Sequence, residues 1–396
     1  MCPITVDALS AAATDRPDAP VRGVAVDPAH ASRLAARLGR AKLAYTTRHV
    51  PAEALQRLIE LDPDGDAGPR PRAGDLLLAR VEQIGQHKAI ELANGRRASL
   101  FEDDEIVVCY GNRYAPDQFE GEVPLDLGPC HLVAAGGVAA RMVSRSSRVA
   151  HPTAIVPIGL LADARCRRVN LSDWALQAAP RALRRPQTIA VVGTAMNAGK
   201  TTTAANLIRG LARGGHRVGA AKVTGTGAGG DLWLMSDSGA HPVLDFTHAG
   251  YASTYRVPVS EIVRAFELLL GHLSRSVETA VIEVADGLCQ EETIGLIDSP
   301  AFRRTVDAVV FSAADALGAA HGVRMLEERG IEVAAVSGAL SASPLALRET
   351  HALTGLPVLD IEALRRPDAL RTVGRWARPR DVGATLEPLV PASNAA

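Results

Sequence analysis

The feature that most constrains this chain lies in its middle. An apolar run, Ile189-Ala190-Val191-Val192, stops at a glycine and continues as Gly193-Thr194-Ala195-Met196-Asn197-Ala198-Gly199-Lys200-Thr201-Thr202, after which Leu207, Ile208 and Leu211 mark a helical period. A strand, a short polar loop bounded by glycines and then a helix form the setting of a phosphate-binding loop. Gly199 leaves room for a phosphate against the backbone, and the loop and helix start aim N–H groups at it. Gly193, Thr194, Asn197, Ala198, Gly199, Lys200, Thr201 and Thr202 are the expected cradle. Lys200 is expected to reach the terminal phosphates, and the Thr201 hydroxyl to complete a Mg²⁺ shell. Against the usual G-x-x-x-x-G-K-[ST] spacing the first glycine sits one residue early, with Thr194 in its place.

Composition adds an independent pointer. The chain holds 43 Lys plus Arg, yet its lysines are only Lys42, Lys88, Lys200 and Lys222. Arginine is the default cation here, and two of the four exceptions fall where phosphate chemistry wants a compact point charge and not a planar fork.

At 396 residues the chain is too long for one ordinary core, and two domains are expected. Residues 1–180 read as an N-terminal α+β domain, with residues 1–20 frayed, helices over 29–43 and 52–61, and a turn-rich linker at 62–69. Closely spaced strands follow over 75–81, 88–92 and 105–110, a pattern of a small antiparallel barrel or sandwich. Residues 165–186 form the junction. From 188 the pattern alternates: strands over 188–192, 217–223, 279–284, 307–312, 332–336 and 357–360, with helices over 200–213, 259–273, 318–329 and 345–354. This is an α/β, parallel, doubly wound P-loop NTPase domain over 187–376, followed by a disordered tail at 377–396.

A net charge of −1 makes no case for nucleic acid or an anionic membrane as partner. Cys2, Cys109, Cys130, Cys166 and Cys289 are scattered, without a C-x-x-C pair, and fit reduced thiols in a cytoplasmic protein. No signal peptide or membrane-spanning run is expected. A homodimer is the expected assembly.

In a doubly wound sheet, ligands sit beyond the carboxyl ends of the strands. Lys222 ends one strand and is followed by a polar loop holding Thr224, Thr226 and Asp231. A lysine at a buried strand end costs desolvation unless it meets an anion, so a substrate or phosphate contact is favoured over a structural ion pair. The strand over 279–284 delivers Glu283, and Asp286 follows it. Glu283 is the first metal-ligand candidate; Asp231 and Asp237 are further ones, or simply solvated loop acids. The segment 245–255 concentrates aromatic and hydroxyl groups, with Tyr251 either in a substrate lid or in local packing. Earlier, Gly136-Gly137 precedes Arg141, Arg145 and Arg148, which read either as a binding site for a carboxylate or phosphate or as a solvated basic face.

These residues resemble dethiobiotin synthetase and its wider group of P-loop amide ligases, which includes the cobyrinic acid amide synthases. The resemblance covers about residues 187–362. It rests on Gly193-Thr194 ahead of Gly199-Lys200-Thr201, on the Lys222 strand end with its Thr/Gly loop, on the strand ending in Glu283, and on Leu317-Gly318-Ala319-Ala320-His321. It implies that Lys200 and Lys222 embrace the transferred phosphoryl group and a carboxyl-type acceptor. It also implies that Thr201, Glu283 and, less directly, Asp231 or Asp237 hold Mg²⁺. The chain departs from the group at Asn197, where an acid is common, and at Val223, where a proline is usual; the synthetase has no counterpart of residues 1–180.

The function expected is an ATP-dependent ligase that joins a small carboxylate to an amine through an acyl phosphate, with Lys200, Lys222 and Glu283 as its catalytic residues. A nucleotide-dependent switch or adapter in cofactor assembly and a small-molecule kinase are the alternatives. No lysine begins a K-x-D sequence, so the carboxylate that reads guanine is missing from its usual place and ATP is expected over GTP.

Overall fold

Two sheets organise the computed structural model, which describes residues 28–60, 70–179 and 185–369. Helix α1 (Pro28–Leu38) precedes strands β1 (Lys42–Leu43), β2 (Arg57–Glu60), β3 (Leu76–Gln83), β4 (Ala89–Glu91), β5 (Arg97–Ser99), β6 (Glu105–Tyr110), β7 (Phe119–Glu122), β8 (Cys130–Ala134), β9 (Val138–Arg145) and β10 (Thr153–Ala162). β4 and β5 pair only with each other, and the rest form one eight-stranded sheet. Within it β6, β3, β10, β8 and β9 pair antiparallel in that order, and β9 returns to β6 in parallel, closing a five-strand circuit. Period-two alternation gives the circuit two apolar faces. Leu77, Ala79, Ile106, Val108, Leu132 and Ile155 share one core. Leu76, Leu78, Val107, Val133 and Val138 share another with Leu34 of α1 and with Ala252 from the second half of the chain.

The sequence reading needs three corrections here. The helix expected over 52–61 is a single 3₁₀ turn, Ala52–Ala54, followed by β2. Leu58 and Ile59 pair with Leu161 and Leu160 of β10 and pack on opposite faces; consecutive apolar residues suit a strand with a core on each side as well as they suit a helix face. The helix expected over 29–43 ends at Leu38, and Lys42–Leu43 joins the sheet. The sheet is also not purely antiparallel, because β1 and β9 both lie parallel to β6.

The second sheet is built from β11 (Gln187–Gly193), α2 (Lys200–Arg213), β12 (Val218–Lys222), α3 (Gly230–Asp237), β13 (Val243–Asp245), α4 (Val259–Leu273), β14 (Thr279–Glu283), α5 (Glu291–Asp298), α6 (Pro300–Thr305), β15 (Ala308–Ser312), α7 (Ala316–Glu327), β16 (Val333–Ser337), α8 (Pro344–Thr354) and α9 (Ile361–Leu364). Its six strands are parallel in the order β13-β12-β14-β11-β15-β16. Both faces are covered, so the strands are apolar throughout. Ile189 and Val191 pack with Leu207, Leu211 and Met235 of α2 and α3. Ala190 and Val192 pack with Phe266, Leu296, Phe302 and Val323 from the helices of the other face. The helix after β11 and the helices after β14 therefore leave on opposite faces, and the crevice between the carboxyl ends of these adjacent strands is the topological switch point.

Residues 357–360 do not form a strand; Val358 makes one isolated parallel bridge to Val336. Pro357 brings no N–H to a ladder. Strand β13 and helices α3, α5 and α6 went unplaced in the sequence. The expectations for residues 1–20, for the 62–69 linker and for the tail from 377 fall outside the described residues. Among the described residues no helix is long and apolar enough to cross a membrane.

Candidate functional site

The β11–α2 loop is a tightly packed turn that only glycine can complete. Gly199 sits at φ 90°, where a side chain is strained, and a Cβ there would lie 2.8 Å from the Ala339 nitrogen. Ala198 is buried and its carbonyl accepts from Ala339 at 3.0 Å, which ties the loop to the segment after β16. Thr194 donates its backbone N–H to Ser312 O at 3.0 Å, at the end of β15. Lys200 folds back over the loop: Nζ donates to Ala195 O at 2.8 Å and to the Asp286 carbonyl. Burial draws its ammonium below the usual lysine range, against the opposing pull of Glu283 and Asp286. Thr202 points away to an exposed cavity of about 670 Å³ along α2, which Asn206, Arg209, Arg213 and Asp237 also line.

On neighbouring strand ends the sheet register sets Lys222 directly opposite Glu283. Lys222 is ion-paired to Asp231, in the first turn of α3, and lies 3.8 Å from Glu283 Oε1. The sequence favours a substrate or phosphate contact for this lysine; in the present state its partner is Asp231, within the chain. Burial lowers the Lys222 ammonium, but Asp231 and then Glu283 outweigh it and hold the pKa above the ordinary lysine value. Burial raises both Glu283 and Asp286 against the cations around them. Lys222, Lys200 and Arg113 oppose that rise at Asp286, whose backbone carbonyl accepts from Lys200.

The Mg²⁺ set can be checked on one observation. Glu283 Oε1 accepts from Thr201 Oγ1 at 3.0 Å, while its Oε2 is buried with no partner. An orphaned carboxylate oxygen beside the loop threonine fits a hard divalent cation. Asp231 is engaged by Lys222, and Asp237 stands exposed at the far end of α3.

Other expected residues are distributed differently. Thr224 is buried and donates to Ala285 O, and Thr226 bridges to Ser253. The loop carrying them is packed rather than free, and it starts α3 at Gly230. Tyr251 donates to Glu261 at 3.0 Å and belongs to local packing. Gly136 and Gly137 make the β8–β9 turn against this same loop; a Cβ on Gly136 would fall onto Gly227 O. The arginines part from that turn: Arg141 pairs with Asp126 at 3.1 Å, Arg145 donates to Val149 O at 2.6 Å, and Arg148 is exposed.

Sequence reasoning missed what the first sheet contributes. Glu91, buried at the end of β4, accepts from Gly229 N at 2.8 Å and from Trp233 Nε1 at 3.1 Å, which clamps the start of α3 and hence Asp231. Asp117 accepts from Asn197 of the phosphate loop at 2.8 Å. Arg113, 5% exposed, lies within the field of Asp117 and Asp286. A second junction, behind Lys222, joins Tyr45, Arg48 and His49 to Asp245, Thr247 and His248. No local pattern in the sequence singles these out, since each acts through a partner distant along the chain.

No protein-family model matches the chain, and no curated protein matches it. Among solved structures it is similar to a DUF1611-family protein from Anabaena variabilis, with 18% identity over 48% of this chain and 57% of that one and a TM-score of 0.36. It is also similar to the signal recognition particle 54 kDa protein from Aeropyrum pernix K1 in complex with GDP, with 21% identity over 52% of this chain and 49% of that one and a TM-score of 0.33. The chain thus spans about half the length of each, 57% and 49%.

Proposed function

We propose that the chain is an ATP- and Mg²⁺-dependent ligase that joins a small carboxylate to an amine, as in the P-loop amide ligases it resembles. The observation that carries this reading is the pairing of two lysines at the switch point, the buried Lys200 on the loop and the half-buried Lys222 on a nearby strand end, with Glu283 beside both. Phosphoryl transfer to a carboxylate brings two anions together, and a second cation on the acceptor side lowers the cost. Glu283 and Thr201 would hold the metal, which would offset charge on the phosphate oxygens. The acceptor carboxylate attacks the γ-phosphorus and ADP leaves; the amine then attacks the acyl carbon, phosphate leaves, and the amine proton passes to solvent. Lys222 must exchange Asp231 for the acceptor, so the Asp231 pair is its resting state. ATP is preferred to GTP, since the chain lacks a K-x-D sequence.

The test is incubation with ATP, Mg²⁺ and a mixed metabolite extract, with mass spectrometry for condensed products and for nucleotide fate. ADP and phosphate should accumulate in step with product; AMP would exclude the acyl phosphate. Lys222→Ala should lower the coupled rate by about 100-fold or more with nucleotide affinity changed only a few-fold, because its contact to the acceptor strengthens in the transition state. The alternative of a nucleotide-dependent switch draws on the Asp117–Asn197 and Glu91–Gly229 contacts, which tie the nucleotide side to the first sheet. It takes precedence if Lys222→Ala loses ATP binding and keeps normal turnover at saturation.

A further inference from the structure

Between β6 and β7 the chain passes over the phosphate loop, and there Asp117 holds Asn197. Arg113 lies in this passage. Its Nη2 donates to Gln118 Oε1 at 3.0 Å, its Nη1 lies 3.4 Å from His87 Nε2, and its guanidinium stands 5.9 Å from the centre of the Phe119 ring. Its Nε is buried with no partner, and so is Asp117 Oδ1. Among the described residues Arg113 forms no ion pair. A buried guanidinium without a carboxylate is costly to keep unless an anion completes it. The acids whose charge acts on it are Asp117 and Asp286, and the carbonyl of Asp286 is the one that accepts from Lys200. Arg113 thus lies in the same short passage that touches the phosphate loop at Asn197, four residues from the contact.

We propose that Arg113 binds the terminal phosphoryl group of a nucleoside triphosphate, supplied to the loop by the other sheet, while Asp117 holds the loop through Asn197 until that anion arrives. A planar fork of donors suits a terminal phosphoryl group. Asp117 works in the opposite sense, because its carboxylate repels the same ligand that Arg113 attracts. The proposal rests on the nucleotide-binding part of the reading above and is independent of the ligase chemistry.

Opposite signs make the test decisive. The full chain, Arg113→Ala, Arg113→Lys and Asp117→Asn would be titrated calorimetrically with ATP and with ADP in the presence of Mg²⁺, with melting curves for each. Arg113→Ala should lose about tenfold in ATP affinity, about 1.4 kcal/mol, with ADP affinity held within twofold. Arg113→Lys should recover part of the loss, and Asp117→Asn should bind ATP a few-fold more tightly. A structural role for the passage would weaken ATP and ADP together, and would weaken them in both positions; that pattern overturns the proposal. Should Arg113→Ala fail to fold, the contrast between Arg113→Lys and Asp117→Asn decides on the same criterion. A wild-type chain that binds neither nucleotide overturns the nucleotide reading itself, whereas binding without any change in the ATP-to-ADP ratio overturns this proposal alone.

Discussion

The two sheets meet the site in different ways. In the parallel sheet each contributing group sits at the end of a strand or within a few residues of it: the loop after β11, Lys222 on β12, Glu283 on β14. Strand direction aims all of these at one crevice, so position along the chain already fixes position in the site. The first sheet contributes from unrelated places, namely Glu91 at a hairpin and Arg113 and Asp117 in the passage between β6 and β7. Nothing local aims them; tertiary contacts do, Glu91 through its N–H to Ala135 O at the β8–β9 turn and Asp117 through Asn197. The difference teaches that strand direction places the groups of the parallel sheet, whereas those of the first sheet reach the same loops only through tertiary contacts.

The sharpest way to break this division is at Lys200. Its ammonium has two backbone carbonyls as direct partners in the present state and no competing ion pair among the described residues, so it is ready to turn to a phosphate. Lys200→Ala should lower nucleotide turnover by about 100-fold or more and weaken triphosphate binding, with the melting temperature little changed. Calorimetry and a phosphate-release assay would check this. Unchanged turnover would mean that the parallel sheet does not carry the chemistry.

A smaller effect is expected at Glu91. Glu91→Ala leaves the Gly229 N–H and the Trp233 indole N–H without their acceptor, each costing about 1–3 kcal/mol if it stays dry. The start of α3 should loosen, and Asp231 with it, so the coupled rate should fall about tenfold while nucleotide affinity holds. Trp233→Phe removes one of the two bonds and should show the lesser loss. If Glu91→Ala melts earlier but turns over normally, the clamp serves stability alone.

The same contrast explains what could be read from the sequence. The phosphate loop, α2 and five strands of the parallel sheet follow from local patterns: apolar runs buried on both faces, a glycine at φ 90°, and an amphipathic helix. Strand β13 is three residues long and lies at the sheet edge, too short to leave a period. In the first sheet, Leu58 and Ile59 read equally as helix or strand until β10 is beside them. Lys222 shows the limit of reasoning from burial cost. The cost is real, but the anion that meets it, Asp231, lies nine residues on in what reads as a polar loop. Arg113 is invisible for the opposite reason, because an arginine in an Arg-rich chain carries no compositional signal.

Acid should sharpen the comparison further, with the smallest effect. His87 lies in the first sheet's half; His49 lies where that half meets β13. Burial draws both below the ordinary histidine value of 6.5, His49 to about 3, with the Arg48 cation adding to it, and His87 to about 4, with Arg113 adding to it. The fold keeps both rings neutral, whereas the unfolded chain protonates them below pH 6.5. The unfolded state therefore binds more protons in this window, and stability falls as pH drops from 6.5 towards 4. Asp245 adds a separate loss at lower pH: burial opposes its ionisation, but His248, Arg48 and Thr247 hold its carboxyl well below the usual range, so its contribution is lost only as pH falls below the ordinary carboxylate value of 3.8. Melting curves should thus decline by several degrees between neutral pH and about pH 4, and His49→Gln should flatten part of that slope, because glutamine does not titrate. A slope unchanged in His49→Gln and in His87→Gln would mean that neither ring carries the acid sensitivity.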